Sequence, residues 1–260
     1  RPIIAMGGIG LDHCDHLGNN LKAIAKEKAA IILPESTVIS AHQHPEVEKV
    51  LTEVVREQKA ILHLVKPLTT EWSLGLPGEI QKQNAAVAKG ALEALKDYGW
   101  QIDENKIKEG LAKAFWPGRL QKAKWKDIPI IIDCAHNPHA TKQLSLERDQ
   151  WDGEKNGIYW IFAIQKQKDA PSMINSLLRP NDIAWITPVP NHSSWMKKDL
   201  LKSNPKYSSQ LKNTSTIEEA LCEIALYKEK KKKSKIVITG SIYLLGELIK
   251  RQLIKLDQIN

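Results

Sequence analysis

Short apolar runs alternate with amphipathic stretches over the first 115 residues, and this pattern predicts strands and helices in turn. Strands are predicted in "PIIAMGGIGL", "STVISA" and "ILHLV". Helices are predicted in "NNLKAIAKEKAAII", "HPEVEKVLTEVVREQKA", "LPGEIQKQNAAVAKGALEALKDYGW" and "DENKIKEGLAKAF". In the first of these helices Leu21, Ile24, Ala25 and Ile32 fall near one face. The alternation of strand and helix is typical of a parallel α/β sheet.

A second alternating series follows the segment "WPGRLQ", in which Pro117 and Gly118 indicate a domain junction. Its predicted strands are "IPIIIDCA", "GIYWIFAI", "IAWITPV" and "KIVITGS". Its predicted helices are "NPHATKQLSLERD", "APSMINSLLR", "STIEEALCEIALYKEK" and "YLLGELIKRQL". We therefore expect two α/β domains, residues 1–114 and 115–260, the second doubly wound with ligands at the carboxyl ends of its strands.

Composition narrows the class of protein. The 260 residues carry a formal net charge of +8, which favours anionic partners, although the run "KEKKKKSK" supplies much of that excess and is typical of a solvated loop. No apolar run is long enough to span a membrane. The three cysteines show no CxxC spacing, and no signal peptide is recognisable. We therefore expect a cytoplasmic protein without membrane partners, and a monomer.

Two features of the first domain could support metal chemistry. His13 and His16, with Asp12 and Asp15, crowd a loop at a strand end, although such a pair is more often a surface feature. Lys28 lies four residues after Ile24 and is therefore expected on the apolar stripe of its helix. Loss of hydration there would lower the pKa of its amine and favour carbamylation, whereas a lysine that snorkels into water would keep its charge.

Two segments of the second domain could bind an anion or a nucleotide. Arg119 follows a rigid turn, from which a guanidinium can clamp a phosphate, although most such arginines only form surface ion pairs. Asp133 and His136, in "IIIDCAHNPHA", follow a predicted strand and lie at the edge of the sheet where this architecture binds nucleotides. Cys134 should point to the other face and pack as a small apolar residue.

Neither a thiol nor a zinc interpretation of this stretch is well supported. A cysteine nucleophile at Cys134 lacks an activating arrangement, and a zinc site lacks enough ligands at tetrahedral spacing. A tight turn at Gly240 and Ser241, in "VITGSIYLLGEL", opens a further helix and presents backbone amides that an anion could accept. A lone "TGS" is common, so it gains weight only beside the other segments.

Taken together, the segments resemble folylpolyglutamate synthase and dihydrofolate synthase, members of the Mur ligase superfamily. The resemblance rests on "IGLDHCDHLGNNLKAIAKEKAAI", "LPGEIQKQNAAVAKGALEAL", "FWPGRLQ", "DCAHNPHA", the Lys168–Asp169 pair and "TGSIYLLGEL", which occur in the family's order over nearly the whole chain. It implies the end of a Mur-ligase-type central ATPase domain, followed by a Rossmann-like domain with a mainly parallel sheet. It also implies an ATP-dependent ligase that joins L-glutamate to folate or dihydropteroate through an acyl phosphate.

The resemblance also assigns roles to individual residues. In that family, the histidine that corresponds to His13 binds magnesium. The lysine that corresponds to Lys28 is carbamylated there and helps to hold a magnesium ion. Arg119 is expected at an ATP phosphate and in catalysis. Asp133, His136 and Asn137 are expected at the nucleotide. ATP and Mg²⁺ are therefore the expected cofactors.

The sequence departs from the family pattern at several places. No segment resembles the glycine-rich phosphate loop "GTNGKGS", and we expect the 260 residues alone to be inactive because phosphoryl transfer needs that loop. Gly7 and Gly8 replace the usual polar residues before the "IGLDH" segment, and Ala30 replaces a glycine. The alternatives are a cell-wall Mur ligase relative, or an inactive scaffold or nucleic-acid-binding fragment. "PGRLQ" and "TGSIYLLGE" favour the folate branch, so nucleic acid is not the expected partner.

Overall fold

The structure, a computed structural model, describes residues 2–11, 20–151, 157–230 and 234–257. The chain divides into two compact units, one ending at Trp116 and the other beginning at Pro117. Among the described residues no helix is both long and apolar enough to cross a membrane.

The first unit contains a three-stranded parallel sheet in the order β1-β2-β3. Its strands are β1 (Ile3–Met6), β2 (Thr37–Ala41) and β3 (Ile61–Val65). Its helices are α1 (Leu21–Ala29), α2 (Pro45–Glu57), α3 (Glu79–Ala94) and α4 (Glu104–Lys113), with a 3₁₀ turn at Leu95–Tyr98. Helices α1 and α2 pack on one face of the sheet, and α3 packs on the other. Strand β2 is buried along its whole length because both of its faces are covered.

Local sequence explains where these helices begin. The side chain of Asn20 accepts a hydrogen bond from the backbone N–H of Ala23 and caps α1. His44 caps α2, and Pro45 occupies the first turn, where its missing N–H costs no hydrogen bond. Helix α1 ends at Ala29, earlier than the predicted stretch, with Ile32 buried beyond it.

The second unit contains a seven-stranded sheet in the order β10-β4-β5-β9-β6-β7-β8. Its strands are β4 (Gln121–Trp125), β5 (Ile128–Ile132), β6 (Ile158–Phe162), β7 (Ile183–Ile186), β8 (Leu211–Asn213), β9 (Lys235–Thr239) and β10 (Lys255–Leu256). Its helices are α5 (Pro138–Asp149), α6 (Ala170–Leu177), α7 (Lys197–Ser203), α8 (Ile217–Lys230) and α9 (Ile242–Lys250). A 3₁₀ turn occupies Pro205–Tyr207. Five neighbouring strands are parallel, in the order β5, β9, β6, β7 and β8. Strands β4 and β10 are antiparallel to their neighbours.

The predicted α/β class with a mainly parallel sheet is confirmed, and the helices cover both faces of the larger sheet. Helices α5, α6 and α7 pack on one face, together with Trp160 and Phe162 of β6. Helices α8 and α9 pack on the other, together with Tyr159 and Ile161 of the same strand. This alternation follows the two-residue period of a strand.

The strand order creates a switch point between β5 and β9. These strands are parallel neighbours, yet the chain leaves β5 toward α5 on one face and leaves β9 toward α9 on the other. In open α/β sheets, ligands bind in the crevice that opens where neighbouring connections diverge in this way. The carboxyl ends of β5 and β9 therefore locate the candidate site.

Candidate functional site

Arg119 lies in a turn that packs tightly against the end of β5. Gly118 has a φ of +77°, and a Cβ at this position would lie 2.4 Å from the Cys134 sulfur and 2.6 Å from Leu245 Cδ2. The carbonyl of Gly118 accepts a hydrogen bond of 2.9 Å from the backbone N–H of Cys134. Only glycine fits this position, and the Arg119 side chain that follows it is exposed.

Asp133 is the first residue after β5, and its carboxylate bridges two backbone segments. Oδ2 accepts a hydrogen bond of 3.0 Å from the N–H of Leu120, and Oδ1 accepts one of 2.9 Å from the N–H of Ala135. Burial raises the pKa of this carboxyl, although the two backbone N–H groups and the charges of Arg119 and His136 act in the opposite direction. The effect of desolvation on this pKa is larger than that of the hydrogen bonds.

Cys134 is packed in the interior, as its place in the strand pattern predicted. It is only 4% exposed and belongs to the apolar cluster under α9. Burial raises the pKa of its thiol to about 12, and the neighbouring Asp133 carboxylate adds to this effect. The thiolate form that a nucleophile or a metal ligand requires is therefore disfavoured at neutral pH.

His136 and Asn137 connect β5 to helix α5. The Nδ1 of His136 lies 2.9 Å from the carbonyl oxygen of Cys134, which can only accept, so Nδ1 is the donor. The Asn137 side-chain oxygen accepts a hydrogen bond of 2.7 Å from the N–H of Ala140 and caps α5. The sequence predicted this helix start from Pro138, which occupies its first turn.

The end of β9 lies beside this loop. Thr239 Oγ1 donates a hydrogen bond of 3.3 Å to the carbonyl of Ala135. Gly240 follows with a φ of +106°, and a Cβ there would lie 2.6 Å from the carbonyl oxygen of Ala163. Ser241 then caps α9 by accepting hydrogen bonds from the N–H groups of Tyr243 and Leu244. The predicted turn and helix start are therefore present, and the capping serine satisfies amides of the first turn.

A pair of rings in tilted contact at the same edge was missed by the sequence reasoning. The rings of His192, in the loop after β7, and Tyr243, in the first turn of α9, have centroids 4.1 Å apart and planes inclined by 34°. His192 Nδ1 lies 2.7 Å from the carbonyl oxygen of Pro190, which fixes the ring. The two residues are 51 positions apart, so no local pattern could have connected them.

Lys28 does not have the buried position that the sequence analysis predicted. Ile24, Ala25 and Ala29 form the buried side of α1, but Lys28, in the last turn, is exposed. Ala29, the next residue, is fully buried, so this end of the helix is packed while the Lys28 side chain is exposed among the described residues. The snorkelling alternative fits the observed exposure. The carbamylation of Lys28 and its magnesium contact stay predictions.

The predicted metal loop cannot be compared with the structure, because His13 and its neighbours from residue 12 to residue 19 lie outside the described residues. Within the parts of the chain that are described, no group of three His, Cys, Asp or Glu side chains could hold a metal ion. Arg119, Asp133, His136 and Asn137 lie close together along two connected loops, and their predicted nucleotide contacts stay predictions.

A mainly parallel sheet whose polar residues gather at a switch point defines an α/β protein of the class that binds ligands at its carboxyl edge. The family described as "Dihydrofolate synthetase, C-terminal domain" matches residues 118–251, just over half of the chain. The chain therefore belongs to this family, as the resemblance indicated.

Curated relatives match beyond the family domain. The chain is 29% identical over 283 residues to a probable dihydrofolate synthetase of Schizosaccharomyces pombe, covering 99% of this chain and 67% of the relative. It is 28% identical to the dihydrofolate synthetase of Saccharomyces cerevisiae, covering 93% of this chain and 64% of the relative. It is 29% identical to the dihydrofolate synthase/folylpolyglutamate synthase of Bacillus subtilis, covering 94% and 61%. The chain thus spans about two thirds of the length of these relatives, or slightly less.

Solved structures share the fold. A Mycobacterium tuberculosis folylpolyglutamate synthase complexed with ADP and AMPPCP has a TM-score of 0.84 at 22% identity, covering 96% of this chain and 63% of the other. A second structure, described as an FPGS-AMPPCP-folate complex, has a TM-score of 0.75 at 25% identity, covering 97% of this chain and 62% of the other. The likeness extends through both units and confirms the predicted fold class.

Proposed function

We propose that this chain forms the larger part of an ATP-dependent ligase that joins L-glutamate to folate, to dihydropteroate or to both. The family match and the names of the curated relatives support this assignment. The single observation in the structure that carries it is the Arg119 turn, held against the β5 end at a switch point between β5 and β9. This is the place at which a doubly wound sheet receives a nucleotide.

The proposed reaction has two steps. The substrate carboxylate attacks the γ-phosphorus of ATP, which forms an acyl phosphate and releases ADP. The amine of glutamate then attacks the acyl carbon, an amide bond forms, and inorganic phosphate leaves. In the first step, negative charge on the transferred phosphoryl group must be stabilised, and an exposed guanidinium can do this with paired hydrogen bonds. We assign this role to Arg119.

We propose that His136 and Asn137 complete the surface that faces the nucleotide, with Asp133 behind them at the end of β5. Asn137 caps α5 with its side-chain oxygen, which holds the loop in place. The Nδ1 of His136 faces the Cys134 carbonyl oxygen, and this contact orients its ring. The loop that carries them also begins helix α5, whose N-terminus is electrostatically favourable for an anion.

Magnesium belongs to the proposal through the nucleotide and the family. His13 and carbamylated Lys28 are the residues proposed to hold it, and the exposed Lys28 amine is accessible to carbon dioxide. The ion would neutralise charge on the phosphates.

We also propose a cytoplasmic location, supported by the free thiols of Cys134 and Cys222.

A fusion protein tests the assignment. The part of the Bacillus subtilis relative that this chain does not match is joined to this chain, and ADP release is measured with ATP and magnesium. We expect ADP release over many turnovers only when L-glutamate and either folate or dihydropteroate are also present. Arg119→Ala should lower kcat/KM at least about 100-fold, because an arginine on a transferred phosphoryl group commonly contributes this much or more.

The matched control is Arg56→Ala, since Arg56 is an exposed arginine in the last turn of α2. Its fusion protein should keep the parental rate. A folded fusion protein that releases no ADP with both substrates present contradicts the assignment. Equal rates for the Arg119 and Arg56 variants contradict the role of Arg119.

A further inference from the structure

We propose that Asp133 acts as a positioning residue, whose carboxylate holds the turn at 118–120 and thereby places the Arg119 guanidinium at the edge of the sheet. The role of Arg119 at a phosphoryl group rests on the proposed function. Its position, held by Asp133, does not depend on that function. The family expectation was a direct contact between Asp133 and the nucleotide. The hydrogen bonds of the structure favour an indirect role.

The turn is fixed on both sides of Arg119 by the residues that follow β5. On one side the Gly118 carbonyl accepts the N–H of Cys134 at 2.9 Å. On the other the Leu120 N–H donates to Asp133 Oδ2 at 3.0 Å. Arg119 stands between these two anchors, and its side chain is exposed. The backbone of Arg119 is therefore held while its guanidinium can reach a ligand.

The conformation of Leu120 shows that this turn needs an external anchor. Leu120 has a φ of +44°, in the left-handed region that a leucine enters only at a cost in free energy. Such a conformation persists where the surroundings over-determine it. The hydrogen bond from Leu120 to Asp133 is one such determinant. The contact of Gly118 with Cys134 and Leu245 is another.

The Asp133 carboxylate is itself held in place. Its second oxygen, Oδ1, accepts the N–H of Ala135 at 2.9 Å, and its own N–H donates to the carbonyl of Ile238 in β9 at 3.0 Å. Both carboxylate oxygens thus face the backbone of the site. The anchor connects β9, the β5 end and the Arg119 turn in one hydrogen-bonded unit.

Amide hydrogen exchange of the 260-residue chain tests the anchor without any nucleotide. In Asp133→Ala no side-chain oxygen is left to accept from the Leu120 N–H. We expect the Leu120 amide to exchange about 10- to 100-fold faster, since a hydrogen bond to a charged group is lost. Asp127→Ala is the matched control, because Asp127 is an exposed aspartate in the turn between β4 and β5. Unchanged Leu120 exchange in the Asp133 variant overturns the inference.

A second measurement uses the unmodified chain, in case the Asp133 variant does not fold. The NMR shifts of the Leu120 and Ala135 amides are followed while the pH is varied. Both amides contact the same carboxylate, so we expect both shifts to move with one common midpoint. A midpoint seen at Ala135 but not at Leu120 overturns the inference. A shared midpoint is specific to the carboxylate, whereas general loosening of the fold would move many amides.

A double-mutant cycle in the fusion protein separates positioning from direct contact. If Asp133 acts only through Arg119, adding Asp133→Asn to Arg119→Ala should lower kcat/KM by less than about twofold further. If Asp133 contacts the nucleotide itself, the two losses multiply, and the inference is overturned. Failure of the fusion protein to make ADP would refute the proposed function, whereas hydrogen exchange at Leu120 would still decide the placement.

Discussion

One aspartate lies at each edge of the larger sheet, and their surroundings differ: Asp182 is buried and Asp133 is partly buried. Asp182 precedes β7 at the amino edge and is only 1% exposed. Its two oxygens accept hydrogen bonds from Arg148 Nη2, Ile158 N, Trp160 Nε1 and Arg179 N. Arg148 is itself only 2% exposed, so the charge of Asp182 is neutralised inside the protein. This aspartate joins β6, β7, α5 and the end of α6.

Among the described residues, no buried cation lies against Asp133 at the carboxyl edge. Its donors are two backbone N–H groups, and the nearby Arg119 side chain extends into solvent. Asp182 is therefore enclosed together with its counter-charge, whereas Asp133 is only partly buried and holds a loop at the edge of the sheet. A carboxylate whose counter-charge is buried beside it stabilises the fold, whereas one that holds a loop with an exposed arginine prepares a site.

The largest expected effect comes from breaking the amino-edge pair. Asp182→Asn should lower the free energy of unfolding by about 3–5 kcal/mol, because it leaves the buried Arg148 charge uncompensated. Denaturant unfolding followed by circular dichroism measures this loss. Asp199→Asn is the control, since Asp199 pairs with Lys166 at 2.8 Å on the surface, where solvent screens the pair. A loss in the Asp182 variant no larger than in the control would show that the buried pair is not a structural anchor.

The next effect concerns Cys134, which packs against the Arg119 turn. The native pKa of its thiol is raised to about 12 from an ordinary value of 9.0, so above pH 9 the unfolded chain loses this proton and the native protein keeps it. Stability should therefore fall by about 1.4 kcal/mol for each pH unit between pH 9 and 12.

Comparing wild type with Cys134→Ala isolates this contribution, because the other groups that titrate at high pH are common to both proteins. The variant should show the shallower decline in unfolding free energy from pH 9 to 10.5. Cys222→Ala, which removes an exposed thiol, should keep the wild-type slope. Identical slopes for wild type and Cys134→Ala would mean that the Cys134 thiol ionises in the native protein as readily as in the unfolded chain.

The carboxyl edge was largely predictable from the sequence, because its signals are local. A run of isoleucines into Asp133, followed by Asn137 and Pro138, identifies a strand end and a helix start within ten residues. Strand β4 was missed, because "QKAKW" alternates polar and apolar residues over only five positions. Two-residue β10 was missed as well. Both are antiparallel additions to the edge, which a pattern of alternating strands and helices does not indicate.

The amino-edge pair could not be predicted, because Arg148 and Asp182 are 34 residues apart and no spacing rule connects them. Arg148 lies in the last turn of α5 and Asp182 lies just before β7, and charged residues are ordinarily exposed at both kinds of position. The error at Lys28 has the same origin. Periodicity gives the direction of a side chain from its helix, but burial depends on how far neighbouring elements extend, and that is a property of the tertiary structure.

The smallest expected effect is on global stability at the carboxyl edge. Asp133→Asn should change the free energy of unfolding at pH 7 by less than about 1 kcal/mol, because the lost hydrogen bonds are offset by relief of a desolvated charge. The sign of the pH dependence sharpens the contrast with a salt-bridged aspartate. The native pKa of Asp133 is raised, so the native state binds its proton first as pH falls, and wild type should gain stability relative to the variant between pH 7 and 4. Denaturant unfolding of both proteins at several pH values measures this difference, and a relative loss of wild-type stability on acidification would show that Asp133 behaves as an ion-paired carboxylate.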